Sequence, residues 1–268
     1  MGIINNHDWN ALKDQFQNAS PFPSICIDNF LDPEFARQLT ASYPSFEEAQ
    51  QKGLEFKTVN ERKKIQITDP AYFPDPVEAL HQALKSPAFL QGMQTLSGID
   101  ELAFDPEFNG GGMHMTDVSG ILDVHVDFNY SENLALYRRL NILIYLNEDW
   151  QEDWGGRVEL WDKDVKHCEH SFAPVLNRCL IFATSDHSFH GVSKVAAPDG
   201  VVRKSFAIYL YNKEPAASEY SAQHSTIFKA RPDEKRKKYY HMPLEATSRK
   251  VNEQLQRGSR LVKRLLGQ

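Results

Sequence analysis

The chain has 268 residues, enough for one large domain or two small ones and for a sizeable buried core. Its 41% hydrophobic and 25% charged residues are ordinary for a globular protein and select neither a disordered nor a membrane class. The net charge is −6, but residues 229–268 hold 12 Lys and Arg against 4 Asp and Glu, which leaves −14 on the first 228 residues. We therefore expect one domain, 1–268, with a basic C-terminal end.

The first hundred residues predict a supporting layer of helices and a strand. Residues 22–31 are typical of a short strand, and Asp32 followed by Pro33 provides an N-cap and first position for a helix that runs to about residue 42. Residues 44–70 are polar and charge-rich, which predicts a loop, and a further helix is expected at about 76–96. Residues 1–103 are thus predicted to be an N-terminal helical and strand support.

Residues 104–214 change to short segments rich in Val, Ile, Phe and Tyr, separated by Gly, Asn and Asp. This pattern predicts an all-β barrel or sandwich, and no internal repeat points to a propeller or solenoid. The chain is therefore expected to be mainly β with flanking helices. The predicted strands are 111–116, 120–127, 139–146, 157–161, 178–183, 190–195 and 202–211.

Residues 215–268, which carry the basic excess, are predicted to be a helical C-terminal extension. Val251, Leu255, Val262 and Leu265 fall near helical spacing, which favours a helix packed on the body or making a subunit contact through which the chain could oligomerise. A basic tail can also meet nucleic acid or an anionic membrane surface, but we expect neither partner.

The three cysteines, Cys26, Cys168 and Cys179, show no paired spacing, and no apolar stretch reaches the length of a spanning helix. A reducing, cytoplasmic location is therefore expected.

The most informative motif is His125-x-Asp127, followed 63 residues later by His190. Residues i and i+2 of a strand share a face, so His125 and Asp127 can project together into a barrel interior. Two imidazoles and one carboxylate form the facial triad of non-haem Fe(II) oxygenases. A lone His-x-Asp is more often a polar strand end and a lone His190 more often a core histidine; together they favour a metal site.

A second group of residues predicts a site for a carboxylate ligand. Arg203 lies 13 residues beyond His190, and Arg203 and Ser205 share one face of a strand, where a guanidinium and a hydroxyl can hold a planar carboxylate. Tyr145, in an apolar strand, could donate to the same carboxylate, although a core tyrosine is the alternative. The position of Arg203 suits the distal carboxylate of 2-oxoglutarate.

These motifs resemble the Fe(II)/2-oxoglutarate-dependent dioxygenases of the prolyl 4-hydroxylase-like group. The resemblance spans about 110–212, and the opening at 21–31 is also similar to the lead-in of that group. The segments that carry it are Gly110-Gly111-Gly112-Met113-His114, His125-Val126-Asp127-Phe128-Asn129, Tyr145-Leu146-Asn147 with Gly155-Gly156, Asn177-Arg178-Cys179-Leu180-Ile181-Phe182, His190-Gly191-Val192 and Arg203-Lys204-Ser205.

The resemblance implies a double-stranded β-helix, also called a jelly-roll or cupin-like core. It implies Fe(II) at His125, Asp127 and His190, and 2-oxoglutarate held by Arg203 with help from Tyr145 and Ser205. Lys204 faces the other way and is not expected to bind. O₂ would be the second co-substrate and ascorbate the reductant that restores Fe(II). Asp127 favours hydroxylation, since halogenating members lack the metal carboxylate.

The implied reaction hydroxylates an unactivated C–H bond and releases succinate and CO₂. The resemblance favours an amino-acid-containing substrate such as a prolyl residue, but the group also includes enzymes of small metabolites, and a fold does not by itself transfer function. The same site could instead catalyse desaturation, cyclisation or epimerisation of a small metabolite. A further alternative, of another class, is a non-catalytic cupin-like metal-binding module.

Other polar residues carry weaker functional signals. His167 and His170 beside Cys168 lack a fourth ligand for zinc and are expected in a polar loop. His114 is expected to make a structural hydrogen bond, with a contact to substrate as the alternative. Arg178 is expected at a strand start, not as a second carboxylate clamp. The acidic run at 148–153 is expected to be solvated, with guidance of a cationic partner as the alternative.

Overall fold

The protein is described here by a computed structural model, which describes residues 2–216 and 223–242. None of the helices in these ranges combines the length and the apolar character needed to cross a membrane. The predicted helix around Val251 to Leu265 lies outside the described residues.

The described residues contain five α-helices, and their ends follow the local sequence. The Asp32 side chain accepts a hydrogen bond from the Phe35 N–H at 3.0 Å, so the second helix begins where the N-cap predicted. The helix predicted at 76–96 is instead two helices, because Pro87 has no N–H to continue the first and Ser86 caps the second. The helices are α1 Trp9–Gln17, α2 Pro33–Ala41, α3 Phe46–Lys52, α4 Asp75–Leu84 and α5 Pro87–Ser97.

Thirteen strands in the described residues form one curved antiparallel sheet, with the main order β1-β10-β7-β12-β5-β11-β8-β9. Short 3₁₀ turns occur at Pro70–Tyr72 and Glu152–Trp154, and a π-helical turn at Lys237–His241. The strands are β1 Ser24–Ile27, β2 Leu54–Lys57, β3 Glu61–Ile67, β4 Ala103–Phe104, β5 Gly112–Val126, β6 Tyr130–Ser131, β7 Leu136–Tyr145, β8 Val158–Trp161, β9 Cys168–Phe172, β10 Cys179–Ala183, β11 His190–Val192, β12 Arg203–Asn212 and β13 Ile227–Lys229.

The long strand β5 turns the sheet back on itself. Two strands were predicted, at 111–116 and 120–127, but the structure has one, which is irregular at Ser119, where φ is +67°. Its first half pairs with β12, with Thr116 opposite Arg203, and its second half pairs with β11, with His125 opposite His190. The two halves therefore belong to facing sheets, and the predicted mainly β, jelly-roll fold with flanking helices is confirmed.

Alternation along the strands separates a helix-covered core from the barrel interior. On β7, Leu140, Ile142 and Ile144 belong to the hydrophobic core formed with the helices, whereas Asn141 and Leu143 line the interior cavity. The same alternation holds on β12 and on the first half of β5. The polar interior residues of β7, β12 and the first half of β5 are thus held on strands whose other face is buried in the core formed with the helices, whereas behind His125 the residues Val124 and Val126 pack on Trp161, Val165 and Phe189.

Three predictions outside the barrel were wrong. The polar segment 44–70 is not a loop: it contains α3, begun by a capping box of Ser45 and Glu48, and the hairpin of β2 and β3. Residues 168–170 lie in the exposed strand β9 and not in a loop. The C-terminal extension is not helical throughout, because residues 227–229 form β13, which pairs with β5.

Candidate metal centre and co-substrate site

The fold brings the three predicted metal ligands together. His125 lies near the end of β5, Asp127 directly follows that strand, and His190 begins β11 opposite His125. One ligand atom from each lies within 4.8 Å of the others. His125 Nε2 is 3.5 Å from Asp127 Oδ1, and His190 Nε2 is 3.5 Å from Asp127 Oδ2. The two nitrogens and the carboxylate thus surround one point.

The hydrogen bonds of the two imidazoles determine which nitrogen could bind a metal. His125 Nδ1 is 2.8 Å from the carbonyl oxygen of Asp123, and His190 Nδ1 is 2.9 Å from that of Ser188. A carbonyl only accepts, so each Nδ1 must carry the proton and each Nε2 must present a lone pair. Carbonyl oxygens that accept the other ring N–H in this way fix the orientation and tautomer of metal-binding histidines.

Electrostatics keep both types of ligand in the metal-binding form. Burial alone would raise the pKa of Asp127, but the Arg138 guanidinium and the two imidazoles outweigh it and hold that pKa well below its usual range. Burial, together with the neighbouring His125, lowers the pKa of His190 to about 3. At neutral pH the site therefore holds an ionised carboxylate and a neutral His190.

Two residues that the sequence did not single out support Asp127. Arg138 Nη2 is 3.1 Å from Asp127 Oδ2, and the Asn141 side-chain amide donates to the same oxygen at 2.8 Å. Arg138 Nε in turn donates to Asn141 Oδ1 at 2.8 Å, and its guanidinium stacks 3.3 Å from the Tyr209 ring centroid. Both belong to β7, and their spacing of three residues gave no signal, because the pairing with Asp127 depends on tertiary structure.

Arg203 occupies the opposite part of the same cavity. It is 4% exposed, and its Nε donates to the Gly156 carbonyl at 2.6 Å, which leaves the terminal nitrogens of the guanidinium to meet a ligand. Gly156 has φ of +62°, and a Cβ there would lie only 3.0 Å from Arg203 Cδ and 3.1 Å from Trp150. The glycine pair at 155–156 therefore lets the chain approach and orient the guanidinium.

Tyr145 and Ser205 line the cavity beside Arg203, as predicted. The Arg203 guanidinium carbon is 5.1 Å from the Tyr145 ring centroid, and Ser205 is opposite Tyr145 in the strand pairing. The Tyr145 hydroxyl is buried and makes no hydrogen bond of good geometry among the described residues, with the Arg203 guanidinium as its neighbouring donor. A buried hydroxyl without a partner is costly, so this group is placed to bind something that enters the cavity.

His114 makes the structural hydrogen bond that was predicted and also lines the cavity. Its Nε2 is 3.1 Å from the Gly110 carbonyl oxygen. Burial, with the positive charges of Lys64 and Arg203, holds the pKa of His114 well below its usual value. His114 is therefore neutral beside the carboxylate clamp, and the Gly110 carbonyl accepts its one N–H.

The cavity has a volume of about 420 Å³ and opens beside the β2–β3 hairpin and residues 225–228. Its apolar wall includes Phe56, Leu122 and Phe128, and the ring of Phe228 lies 5.4 Å from that of His125. A separate groove of about 720 Å³ shares Ser225, Thr226 and Phe228 with the cavity. Phe228 is a site residue that the sequence did not suggest, because β13 is only three residues long.

The remaining candidates do not belong to this site. Arg178 makes a two-bond ion pair with Asp28, at 2.6 and 2.9 Å, and is not a second carboxylate clamp. Within the described residues, the triad is the one cluster of His, Cys, Asp and Glu that could hold a metal, so His167 and His170 form none. In the acidic run, Glu152 pairs with Arg157 at 2.9 Å on the surface.

The donor set and the cavity fit iron and 2-oxoglutarate. Two imidazole nitrogens with a carboxylate leave open positions on one side of a metal, which is typical of non-haem Fe(II) oxygenases. The buried guanidinium, the partnerless Tyr145 hydroxyl and the Ser205 hydroxyl are donors matched to a distal carboxylate.

Comparison with known proteins gives the same picture. Residues 111–211 match the 2OG-Fe(II) oxygenase superfamily. A segment of 66 residues, 23% of the chain, is 35% identical to mouse (Mus musculus) prolyl 3-hydroxylase OGFOD1, and covers 12% of that protein.

Among solved structures, a Pseudomonas putida prolyl-4-hydroxylase is 18% identical, with a TM-score of 0.53 over 76% of this chain and 98% of that one. A Trichoplax adhaerens prolyl hydroxylase, in complex with a peptide fragment of hypoxia inducible factor, is 15% identical, with a TM-score of 0.54 over 77% and 94%. A Phytophthora capsici prolyl 4-hydroxylase is 21% identical, with a TM-score of 0.56 over 78% and 68%. These structures share the fold of this chain.

Proposed function

We propose that the protein, whose residues 111–211 match the 2OG-Fe(II) oxygenase superfamily, hydroxylates a C–H bond of a peptidyl substrate, with a prolyl residue as the first candidate. One observation carries the proposal: the His125, Asp127 and His190 cluster and the buried Arg203 clamp line the same cavity. A non-catalytic metal-binding module would have no use for a buried guanidinium and a partnerless hydroxyl beside its metal.

Each site residue takes one role in this proposal. His125 and His190 would bind Fe(II) through Nε2, and Asp127 through a carboxylate oxygen. Arg203 would hold the distal carboxylate of 2-oxoglutarate, with donors from Tyr145 and Ser205.

When bound, iron, 2-oxoglutarate and O₂ would supply the oxidising power: one oxygen atom of O₂ would enter the C–H bond, the other would leave in succinate, and CO₂ would be released. The protein binds the substrate and co-substrate, orients them and excludes water. Asp127 stays ionised because Arg138 pairs with it, and the carbonyls of Asp123 and Ser188 hold the two imidazoles in the tautomer that leaves Nε2 free. Phe228 and the apolar wall would shield the reacting carbon from solvent.

The proposal of a peptide rests on the shape around the cavity. The groove of about 720 Å³ meets the cavity at Ser225, Thr226 and Phe228, so an extended chain could lie in the groove while one side chain enters the cavity. The mouse relative is a prolyl 3-hydroxylase, and the Trichoplax structure holds a peptide. A small metabolite would need the cavity alone.

The test is to supply purified protein with Fe(II), ascorbate and 2-oxoglutarate, and to compare proline-containing peptides with free amino acids and other small metabolites. We expect peptide-stimulated succinate release and a product that has gained one oxygen atom. Desaturation or cyclisation would show as a loss of hydrogen, and epimerisation as an unchanged mass. Binding of 2-oxoglutarate to the iron-loaded protein should give a visible charge-transfer band, which a metal-binding module without the co-substrate site would lack.

The variants His125→Ala, Asp127→Ala and His190→Ala should each abolish succinate release, whereas His167→Ala, on the surface, should not. Full turnover by any of the three would contradict the assignment of that residue. A cytoplasmic location and oligomerisation through the C-terminal segment remain predictions.

A further inference from the structure

Residues 223–238 run from the mouth of the cavity, along the edge of β5 as β13, and onto the outer side of the sheet that carries both histidines; we name this segment the C-terminal strap. β13 places Phe228 opposite His125 in the strand register, with the two rings 5.4 Å apart. The backbone of the strap also reaches Asn129, whose side-chain oxygen accepts from the His224 N–H at 2.9 Å. The strap is therefore a neighbour of the metal site.

Ion pairs attach the strap to the strand that carries His125. Asp123, two residues before His125, is completely buried, and its Oδ1 accepts from Lys237 Nζ. Arg231 Nη1 lies 3.5 Å from the same oxygen. The side chains of Arg231 and Lys237 are only 12% and 13% exposed, so these pairs are shielded from water.

Arg231 spans three strands of this sheet. Its Nη2 and Nε lie 2.8 and 3.0 Å from Glu159 Oε2 on β8, and Nη2 donates to the Val192 carbonyl of β11 at 3.2 Å. With Asp123 on β5, one guanidinium connects the strand of His125 to the strand of His190. The separation of those two strands sets the separation of the two imidazoles.

The connection to the metal site is direct. The carbonyl of Asp123 accepts the Nδ1 proton of His125 at 2.8 Å, so the peptide group that orients this imidazole belongs to the residue that Lys237 and Arg231 bind. Movement of Asp123 would turn the His125 ring away from Asp127 and His190. Groups that hydrogen-bond a metal-binding histidine, as the Asp123 carbonyl would here, commonly change metal affinity by about 10–100-fold when they are altered.

We propose that the C-terminal strap is part of the metal centre, with Lys237 and Arg231 as positioning residues that act through Asp123 on His125. This rests on the proposed function only in that the triad binds a divalent metal. The strap would thereby make metal affinity depend on residues 223–238, although none of them is a proposed metal ligand.

The experiment measures metal affinity directly, by titrating the metal-free full chain with Co(II) as a spectroscopic substitute for Fe(II). Lys237→Met should weaken Co(II) binding by about 10–100-fold and change the visible spectrum of the bound metal. Lys237→Arg keeps the charge, and its Co(II) affinity and visible spectrum should match those of the wild-type protein. Lys238→Met is the matched control: this neighbouring lysine is exposed and contacts the Tyr239 ring, and its loss should change neither.

If the strap were merely structural, the result would differ. The Lys237→Met variant would have a lower melting temperature in the absence of metal but would bind Co(II) with unchanged affinity and spectrum. That result would overturn the proposal. If wild-type protein bound no Co(II) at all, the proposed function would fail first, so the two failures are distinguishable.

A second measurement needs no variant. If strap attachment favours metal binding, metal binding must equally favour strap attachment. Co(II) should therefore slow hydrogen exchange of the amides of residues 225–230 in the wild-type protein, more than it slows exchange in α1, which lies far from the site. Exchange in the strap that is unaffected by Co(II) would overturn the proposal even if Lys237→Met does not fold.

Discussion

Arg138 and Asp127 form a shielded ion pair, with Nη2 3.1 Å from Oδ2 and side chains only 2% and 13% exposed. The pair is needed because Asp127 faces two imidazoles in a buried cavity, where an isolated carboxylate would take up a proton. Arg138 is itself held by Asn141 and by the Tyr209 ring. The carboxylate is thus kept charged, and turned toward the imidazoles, before any metal arrives.

The variant Arg138→Met should therefore destabilise the metal-free protein and weaken metal binding at low pH. Removing one partner of a buried pair typically lowers the free energy of unfolding by about 3–5 kcal/mol. Without the guanidinium the pKa of Asp127 rises, so protons compete with metal at a higher pH than in the wild type. Chemical denaturation, and Co(II) titrations at a series of decreasing pH values, would measure both effects, because protonation of the ligands competes with the metal.

Arg37→Met provides the contrast, because the Arg37–Glu34 pair is exposed and its loss should change neither quantity. If the pH dependence of Co(II) binding in Arg138→Met matched that of the wild type, Arg138 would not be what keeps Asp127 ionised.

Tyr145→Phe should have opposite effects on the free protein and on co-substrate binding. Its hydroxyl is buried without a partner in the described residues, so removing it should raise the free energy of unfolding by about 1–3 kcal/mol. If the hydroxyl donates to bound 2-oxoglutarate, the same change should raise the Kd for 2-oxoglutarate by about 2–10-fold. Denaturation curves and 2-oxoglutarate titrations would give the two values.

Tyr211→Phe is a matched control for this prediction. The Tyr211 hydroxyl is also buried without a partner among the described residues, but Tyr211 does not line the cavity. Its loss should stabilise the protein and leave 2-oxoglutarate binding unchanged. Equal effects of the two substitutions on 2-oxoglutarate binding would remove Tyr145 from the co-substrate site.

Arg203→Met should chiefly weaken 2-oxoglutarate binding. Loss of a buried charged partner typically costs at least about 2 kcal/mol, which corresponds to a roughly thirtyfold increase in Kd. Binding of Co(II) in the absence of 2-oxoglutarate should be retained, because Arg203 is not a ligand. If the Kd for 2-oxoglutarate were unchanged in this variant, the carboxylate of 2-oxoglutarate would be held elsewhere.

Part of the site could be predicted from the sequence. His125 and Asp127 were predicted to share a face because the strand period is two, and the structure brings them together with His190. Nothing local specified that His190 would pair opposite His125, since that register depends on contacts across the barrel. For the same reason Arg138 resembled an ordinary strand arginine: its pairing with Asp127 exists only in the folded chain.

Some strands and helices of the fold could be predicted from the sequence and others could not. The strands of the barrel are recognisable because their core-facing positions carry large apolar residues. The β2–β3 hairpin is harder to recognise, since Glu61, Arg62 and Lys63 resemble a loop while Ile65 and Ile67 alone reach the core. Pro87 was the overlooked signal that divides α4 from α5. The three residues of β13 are too few to show a period.

Acid should destabilise the metal-free protein through His114. Burial and the charges of Lys64 and Arg203 disfavour the imidazolium and hold the pKa of His114 well below its usual value. Below about pH 6.5 the unfolded chain therefore binds a proton at this residue that the folded chain does not bind. The free energy of unfolding falls as the pH falls, by up to about 1.4 kcal/mol per pH unit for this residue. His114→Gln should make the free energy of unfolding depend less steeply on pH between 6.5 and 5. His167→Gln, on the surface, should leave the slope unchanged, and an equally steep slope in His114→Gln would show that His114 is protonated in the folded state.

The groove beside the cavity should discriminate peptides from small substrates. Ile227 lines the groove but not the cavity, and it is 44% exposed. If an extended peptide occupies the groove, Ile227→Arg should raise the KM for a peptide by about tenfold, equivalent to ~1.4 kcal/mol of lost contact, with the KM for 2-oxoglutarate unchanged. Leu54→Arg tests for a general effect of surface charge, since Leu54 is 63% exposed on β2 and outside the groove. Equal peptide KM values in both variants would show that the peptide does not use the groove, and would favour a substrate small enough for the cavity.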